Sequence, residues 1–159
     1  LPPGLDIRTR LLVLGSFPGV ASLRAQQYYG HPQNAFWTIL GTLWGLPLSA
    51  APYDQRVQAL QDHGLGVWDV YASCEREGSL DSSIREAELN DLAGLPRQCP
   101  LLQGIAHNGG ESFRHARHTQ ALGLPVHRLP STSPANAGWS FERKLAAWGD
   151  VLRLHGVCA

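Results

Sequence analysis

Long apolar runs are missing from this 159-residue chain. None approaches the ~20 residues that a bilayer-spanning helix requires. No charged-then-apolar segment opens the sequence either, so a cytoplasmic protein without a membrane partner is expected. Cysteine is scarce: Cys74, Cys99 and Cys158 are odd in number, far apart and form no CxxC pair. That pattern argues against a disulfide framework or a zinc site and leaves no four-thiolate set for an iron–sulfur cluster. An excess of charge is also missing. Thirteen Lys and Arg balance thirteen Asp and Glu, so the molecule as a whole carries no electrostatic signal for a polyanion. Lysine is almost absent, since every cationic side chain except Lys144 is arginine. Arginine suits bidentate phosphate contact, although a GC-rich genome produces the same bias. Repeats, low-complexity tracts and long linkers are lacking, and the length fits a single domain over residues 1–159.

What remains is an ordinary apolar content of 43%, distributed with clear periodicity. Leu11 to Ser16 reads as a buried strand because its apolar character is unbroken. Asn34 to Trp44 has helical spacing, with Pro32 just before it as a start signal. Tyr53 to His63 is a second helix closed by Gly64, and Gly66 to Val70 a short strand. Leu80 to Leu95 is expected to be helical in part, after a polar segment from Ser73 to Ser79. Leu101 to His107 reads as a third strand and Glu111 to Leu122 as a helix stopped by Gly123. Val126 to Leu129 is a fourth strand, and Trp139 to Leu154 the closing helix. Strands alternating with helices predict an α/β fold, a parallel sheet covered on both faces.

Ligands of such sheets bind beyond the carboxyl ends of the strands. Three unusual loops start there: Gly15 to Gly19, Asn108 to Gly110, and Pro130 to Ala137. A fourth segment, Tyr28-Tyr29-Gly30-His31-Pro32-Gln33-Asn34-Ala35-Phe36-Trp37, packs four aromatic rings into ten residues. A helix or strand does not need that mixture of rings with Gly, Pro, His and Asn. A pocket for a flat polar ligand such as a nucleobase does.

The order GSFPG, then HPQNAFW, then a strand ending in HNGG, then LPSTSPAN resembles the uracil-DNA glycosylase superfamily. Within it the likeness is to the branch described as hypoxanthine (deoxyinosine) DNA glycosylases, and it spans roughly Leu11 to Phe141. The resemblance implies a three-layer α/β/α sandwich with a central four-stranded parallel sheet. It also implies an enzyme that flips a deaminated base out of DNA and hydrolyses its N-glycosidic bond with water, as a monomer and without a cofactor or metal. The mismatch-specific uracil/thymine branch carries Asn or Asp at the third position of the first motif to hold that water. Phe17 stands there in this chain, so the resemblance transfers the role to Asn34. An amide aligns a water but is not a strong base, which suffices where bond breaking runs ahead of attack. Asn34 is equally suited to satisfying the first backbone donors of its helix.

Tyr29, twelve residues after Phe17, matches the spacing of the superfamily's base-stacking aromatic; Tyr28 is the alternative. Gly15, Ser16 and Phe17 offer close backbone approach to the base. Asn108 presents one donor and one acceptor to a base edge, or simply favours a left-handed turn before glycine. Ser131, Thr132, Ser133, Pro134 and Asn136 match the DNA-binding loop, whose hydroxyls position phosphates; a Ser/Pro turn capping the last helix is the alternative. His31, inside the aromatic cluster, is a possible auxiliary group for the leaving base. The other histidines lack the spacing of a metal site, and Arg143 and Lys144 read as a solvated helix face. Two rivals stay open. One is a mismatch-directed glycosylase for uracil, thymine or xanthine, the other a non-catalytic protein that binds DNA damage.

Overall fold

A computed structural model describes residues 1–159, apart from the side chain of Ser83. The first strand, β1 (Leu11–Gly15), is buried along its whole length. Its residues alternate between two cores: Leu11 and Val13 enter one, Leu12 and Leu14 the other. A strand covered on both faces needs no polar alternation, which explains the unbroken apolar run. Parallel partners follow, β2 (Leu65–Asp69), β5 (Gly104–Asn108) and β6 (Val126–Leu129), in the order β2-β1-β5-β6.

Helices α2 (Phe36–Trp44), α3 (Tyr53–His63) and α7 (Phe141–Leu154) cover the first face. They bury Phe36, Trp37, Ile39, Leu60, Trp148 and Leu152 against it. The second face, to which Trp68 of β2 contributes, is covered by the short helix α4 (Leu95–Gln98), through Leu95, and by Tyr71 and Leu92. The result is the expected three-layer α/β/α sandwich around four parallel strands. The chain leaves β1 toward β2 but leaves β5 toward β6, in opposite directions along the sheet. Their adjacent ends, Gly15 and Asn108, therefore flank the switch point where such sheets form a ligand crevice.

Several expected elements change. The third strand begins at Gly104 rather than Leu101 and includes Asn108. The helix after it is broken into α5 (Gly110–Phe113) and α6 (Ala116–Gln120). A short helix, α1 (Val20–Ala25), follows the glycine turn. The largest correction falls on Leu80 to Leu95, expected to be partly helical. Apart from one tight turn at Asp81–Ser83, it holds the strand β4 (Arg85–Leu89), and α4 starts only at Leu95. β4 pairs antiparallel with β3 (Tyr71–Glu75), which extends the chain beyond β2 into the segment read as polar loop. β4 is exposed throughout, so its charges carried no core-facing periodicity to distinguish strand from helix. Both strands pair with each other instead of with the main sheet.

Candidate functional site

At the switch point lies a cavity of about 1090 Å³, at the upper limit of the ~300–1,000 Å³ usual for small-molecule sites. Every residue proposed from the sequence lines it: Gly15, Ser16 and Phe17 from the turn after β1, Tyr29, His31 and Asn34 from the aromatic segment, Asn108 from β5, and Ser131, Thr132, Ser133, Pro134 and Asn136 from the loop after β6. Segments separated by more than a hundred residues are thus brought together by strand order alone.

The aromatic segment is fixed from below. Tyr28 is buried, its hydroxyl donating to Pro2 O at 2.8 Å and its amide to the Tyr53 hydroxyl at 3.0 Å. Trp37 Nε1 donates to Tyr28 O at 3.0 Å. The next residue, Tyr29, has φ 54°, a left-handed conformation that non-glycine residues seldom adopt. Its ring stacks on Phe36, with centroids 4.1 Å apart, and its buried hydroxyl finds no partner among the described residues. Burial and the charge of Asp69 push that hydroxyl's pKa upward, so it stays protonated. A left-handed backbone and an orphaned hydroxyl are both unfavourable, and they set Tyr29 apart from Tyr28, whose hydroxyl is satisfied.

Asn34 precedes α2, and its Oδ1 accepts from Phe36 N–H at 3.0 Å. The capping role is therefore realised, while a second lone pair on the same oxygen remains available to a water. His31 is exposed and accepts from Gln33 N–H at 3.1 Å. Ala35 N–H donates to Thr132 O at 2.9 Å, which ties the aromatic segment to the loop after β6. That loop is also held by Asn108: Nδ2 donates to Thr132 Oγ1 and Oδ1 accepts from Thr132 N–H, each at 3.0 Å. Two of the four hydrogen-bonding positions of the amide are thereby committed. Gly109, at φ 94°, makes the sharp exit from β5, and a Cβ there would come within 3.0 Å of Ser131 Cβ.

Within the loop, Ser131 Oγ accepts from Ser133 N–H and Ser133 Oγ from Ala135 N–H. Both hydroxyl hydrogens remain free to donate, for instance to a phosphate oxygen. Lys144 corrects the sequence reading of a solvated helix face. It is 6% exposed, and its Nζ donates to Ser133 O at 3.4 Å, beneath the loop.

Sequence reasoning missed three parts of the site. Asp69, the last residue of β2, is buried and lines the cavity. A Cβ on the neighbouring Gly15 would meet Asp69 Oδ1 at 2.6 Å and the Tyr29 hydroxyl at 3.1 Å, so only glycine fits between them. Burial, reinforced by the nearby charge of Asp81 and opposed by Arg76, raises the Asp69 carboxyl to about 7. The second omission is the clamp from the β3–β4 ribbon. Ser16 Oγ donates to Asp81 Oδ1 at 2.6 Å, Val20 N–H to Ser79 Oγ at 2.9 Å, and Arg76 Nη2 to Pro18 O at 2.6 Å. The third is Arg128, which lines the cavity from β6. A lone acid ending the short strand LGVWD is the one trace of Asp69 in the sequence. The clamp left none, because its members lie about sixty residues from the loop they hold.

Among the described residues no group of three or more His, Cys, Asp or Glu side chains could hold a metal ion. Fold and site together define an α/β/α protein with a large open cavity at the carboxyl edge of its sheet, walled by an aromatic segment and a Ser/Pro loop. The chain belongs to the Uracil DNA glycosylase superfamily, whose sequence profile matches residues 2–152. Two curated relatives, each called hypoxanthine DNA glycosylase, are similar over 152 residues, 96% of this chain and 96% of each relative. One, from Methanosarcina barkeri, is 36% identical; the other, from Methanosarcina acetivorans, is 38% identical. The solution NMR structure of a candidate uracil DNA glycosylase from Methanosarcina acetivorans matches with a TM-score of 0.88 at 38% identity. That match covers 97% of this chain and 95% of that one.

Proposed function

We propose that this chain is a monofunctional DNA glycosylase that removes deaminated bases, hypoxanthine by preference. The observation that carries the reading is the meeting of Phe17 and Asn34 in one cavity. Where related enzymes carry a polar side chain to hold water, Phe17 offers none, and Asn34 supplies an amide to the same space. Kinship with two hypoxanthine DNA glycosylases along nearly the whole chain supports the choice of base.

In this mechanism the damaged nucleotide leaves the stack, and its base packs against Tyr29. Such stacking contributes ~1–3 kcal/mol. The sugar–base bond breaks and its electron pair departs with the purine. Water then adds to the sugar carbon and loses a proton, leaving free base and an abasic site. Asn34 Oδ1 aligns that water, and the amides of Ser16 to Gly19 approach the base. Asn108 contributes its remaining amide positions to the base edge, and Ser131, Thr132, Ser133, Pro134 and Asn136 grip the strand. His31, at the mouth, is placed to assist the leaving purine. The reaction needs water and no cofactor.

The cavity is completed within one chain, which supports action as a monomer. Among the described residues no helix is long and apolar enough to cross a membrane. All three cysteines are unpaired, in keeping with a reducing, cytoplasmic setting. The test is excision from duplexes carrying inosine, uracil, xanthine or a G:T mismatch, with abasic sites revealed by alkali. Inosine is cut best, and Asn34→Ala loses about a hundredfold or more while keeping its fold. Equal activity of Asn34→Ala and the parent would remove Asn34 from the mechanism. Tight binding to inosine DNA without product would favour a damage-binding protein instead.

A further inference from the structure

A chain with thirteen cationic and thirteen acidic side chains needs a local cationic face to hold a polyanion. The cavity wall is mostly of the opposite sign: Asp69, Asp81 and Glu111 line it, against a single arginine, Arg128. Arg128 is the penultimate residue of β6, just before the Ser/Pro loop, and is exposed. Its guanidinium carbon lies 5.6 Å from the centre of the Phe113 ring. Gly110 leaves it room, since a Cβ there would come within 3.1 Å of Nη2. Arg143, in the first turn of α7 at the other end of the loop, repeats the arrangement. It too is exposed, and its guanidinium carbon lies 4.2 Å from the centre of the Trp139 ring, which lines the cavity.

Four other arginines, Arg8, Arg76, Arg114 and Arg153, each pair with an aspartate or glutamate. Among the described residues Arg128 and Arg143 pair with none. Each is instead placed on an aromatic ring, at one end of the loop that borders the cavity. A ring against the flat face of a guanidinium leaves the in-plane fork of N–H groups free, and that fork matches two phosphate oxygens. It also holds a long side chain in place before any ligand arrives, which lowers the entropic cost of binding.

We propose that Arg128 and Arg143 form a two-point clamp on the DNA backbone, Arg128 binding a phosphate beside the extruded nucleotide and Arg143 one farther out. The inference rests on the glycosylase reading above, which supplies DNA as the partner, and adds the charged contacts of that same site. Arg128 takes the nearer phosphate because it lines the cavity that receives the base. Arg143 lies behind Trp139 and reaches only the rim. The carboxylates inside the cavity repel phosphate but admit an uncharged base, so the backbone is held at the rim while the base enters. Hydroxyls of the intervening loop position the strand, and the two arginines supply the charge that a neutral molecule otherwise lacks.

The experiment compares the parent, Arg128→Gln, Arg143→Gln, the double variant and Arg128→Lys. Each is bound to an inosine duplex with a cleavage-resistant fluorinated sugar, and to the same duplex without inosine. Fluorescence anisotropy across salt concentrations gives the slope of log affinity against log salt, which counts the neutralised phosphates. Each Gln variant reduces that slope by about 0.9, and the double variant by about twice as much. Affinity falls by about tenfold per arginine, the scale of a hydrogen bond to a charged group. The fall is equal on the two duplexes, because a phosphate carries no sequence. Arg128→Lys keeps the parent's slope, which separates lost charge from lost fold. Neutral methylphosphonates, placed one at a time, locate the contact: the one beside the inosine weakens the parent but not Arg128→Gln. An unchanged slope in either Gln variant overturns the clamp. So does a methylphosphonate profile identical in the parent and Arg128→Gln, or a slope in Arg128→Lys as low as in Arg128→Gln. A loss confined to the inosine duplex overturns it as well, since the arginines would then be reading the base. Abasic product from the parent on cleavable inosine DNA tests the glycosylase reading separately: without product that reading falls, while the slopes still decide the clamp.

Discussion

Asn108 and Thr132 hold each other by two reciprocal hydrogen bonds of 3.0 Å, side chain to hydroxyl and backbone amide to side chain. Both residues are buried, at 7% and 1% exposure. The pair joins the end of β5 to the loop after β6, and Ala35 N–H adds the aromatic segment to the same junction through Thr132 O. One residue thus sets the relative position of the pocket wall and the strand-gripping loop. Asn108→Ala removes both bonds and strands Thr132 in a buried position. Unfolding free energy should fall by about 1–3 kcal/mol, measured by urea denaturation. Affinity for inosine DNA should fall as well, because the loop loses its register. A variant as stable as the parent would show that the loop is held by its other bonds.

Gly15 sits where Asp69 and Tyr29 approach from either side. Gly15→Ala places a methyl group 2.6 Å from Asp69 Oδ1 and 3.1 Å from the Tyr29 hydroxyl, so one of the two must move. Backbone strain is not involved, since Gly15 is ordinary extended strand. The expected outcome is a folded protein that loses about tenfold or more in single-turnover excision, since misplacing a group by a fraction of an ångström is enough. Retention of full rate would mean that Asp69 swings away at no cost to the reaction.

These two positions also show how unevenly the site was written in the sequence. The strand β1, the aromatic segment and the loop after β6 each carry a local pattern, either periodicity or a dense run of unusual residues, and all were legible. Asn108 was legible because two glycines follow it. Asp69 was not, because a lone acid at a strand end has no local signature, and its meaning comes from lying beside Gly15 in a parallel register fifty-four positions away. The β3–β4 ribbon failed for another reason. Its strands contribute little to the core, so the exposed residues of Arg85–Leu89 present neither a helical nor an alternating apolar face. Only pairing with Tyr71–Glu75 makes them a strand.

His107 gives the fold a pH dependence of its own. It is fully buried between Ser112 Oγ and Thr119 Oγ1, each 2.8 Å from a ring nitrogen. Burial lowers its pKa to about 4 from the ordinary 6.5. His127 and His155, paired through their Nε2 atoms at 2.8 Å, are lowered for the same reason. The unfolded chain therefore binds these protons first. Stability from the neutral rings is complete above about pH 6.5 and declines as the pH falls toward 4, by roughly 3 kcal/mol for His107 alone. Asp69 works in the opposite sense, since its penalty disappears as it is protonated below pH 7. Thermal melts of the parent and His107→Gln between pH 7 and 4.5 separate the two contributions. The difference between the curves should narrow steadily with acid, and a constant difference would place the His107 proton elsewhere.

Lys144 decides whether the enzyme stops at the abasic site. A lyase needs an amine that reaches the sugar carbon and forms a Schiff base, and this chain has only one lysine. Lys144 lies under the Ser/Pro loop with Nζ directed to Ser133 O. Burial lowers its pKa, a change that by itself favours a nucleophilic amine. Position opposes it: Lys144 is not among the residues that line the cavity, and its ammonium donates to a backbone carbonyl of the loop. Borohydride reduction during turnover on inosine DNA should therefore trap no covalent adduct, and strands should break only after alkali. Lys144→Met keeps the buried stem and removes the Ser133 contact. It should weaken DNA binding by about threefold to tenfold, the scale of a single modest hydrogen bond, and leave the bond-breaking rate at saturating enzyme near that of the parent. A trapped adduct that disappears in Lys144→Met would instead make the loop mobile enough to deliver its lysine to the sugar.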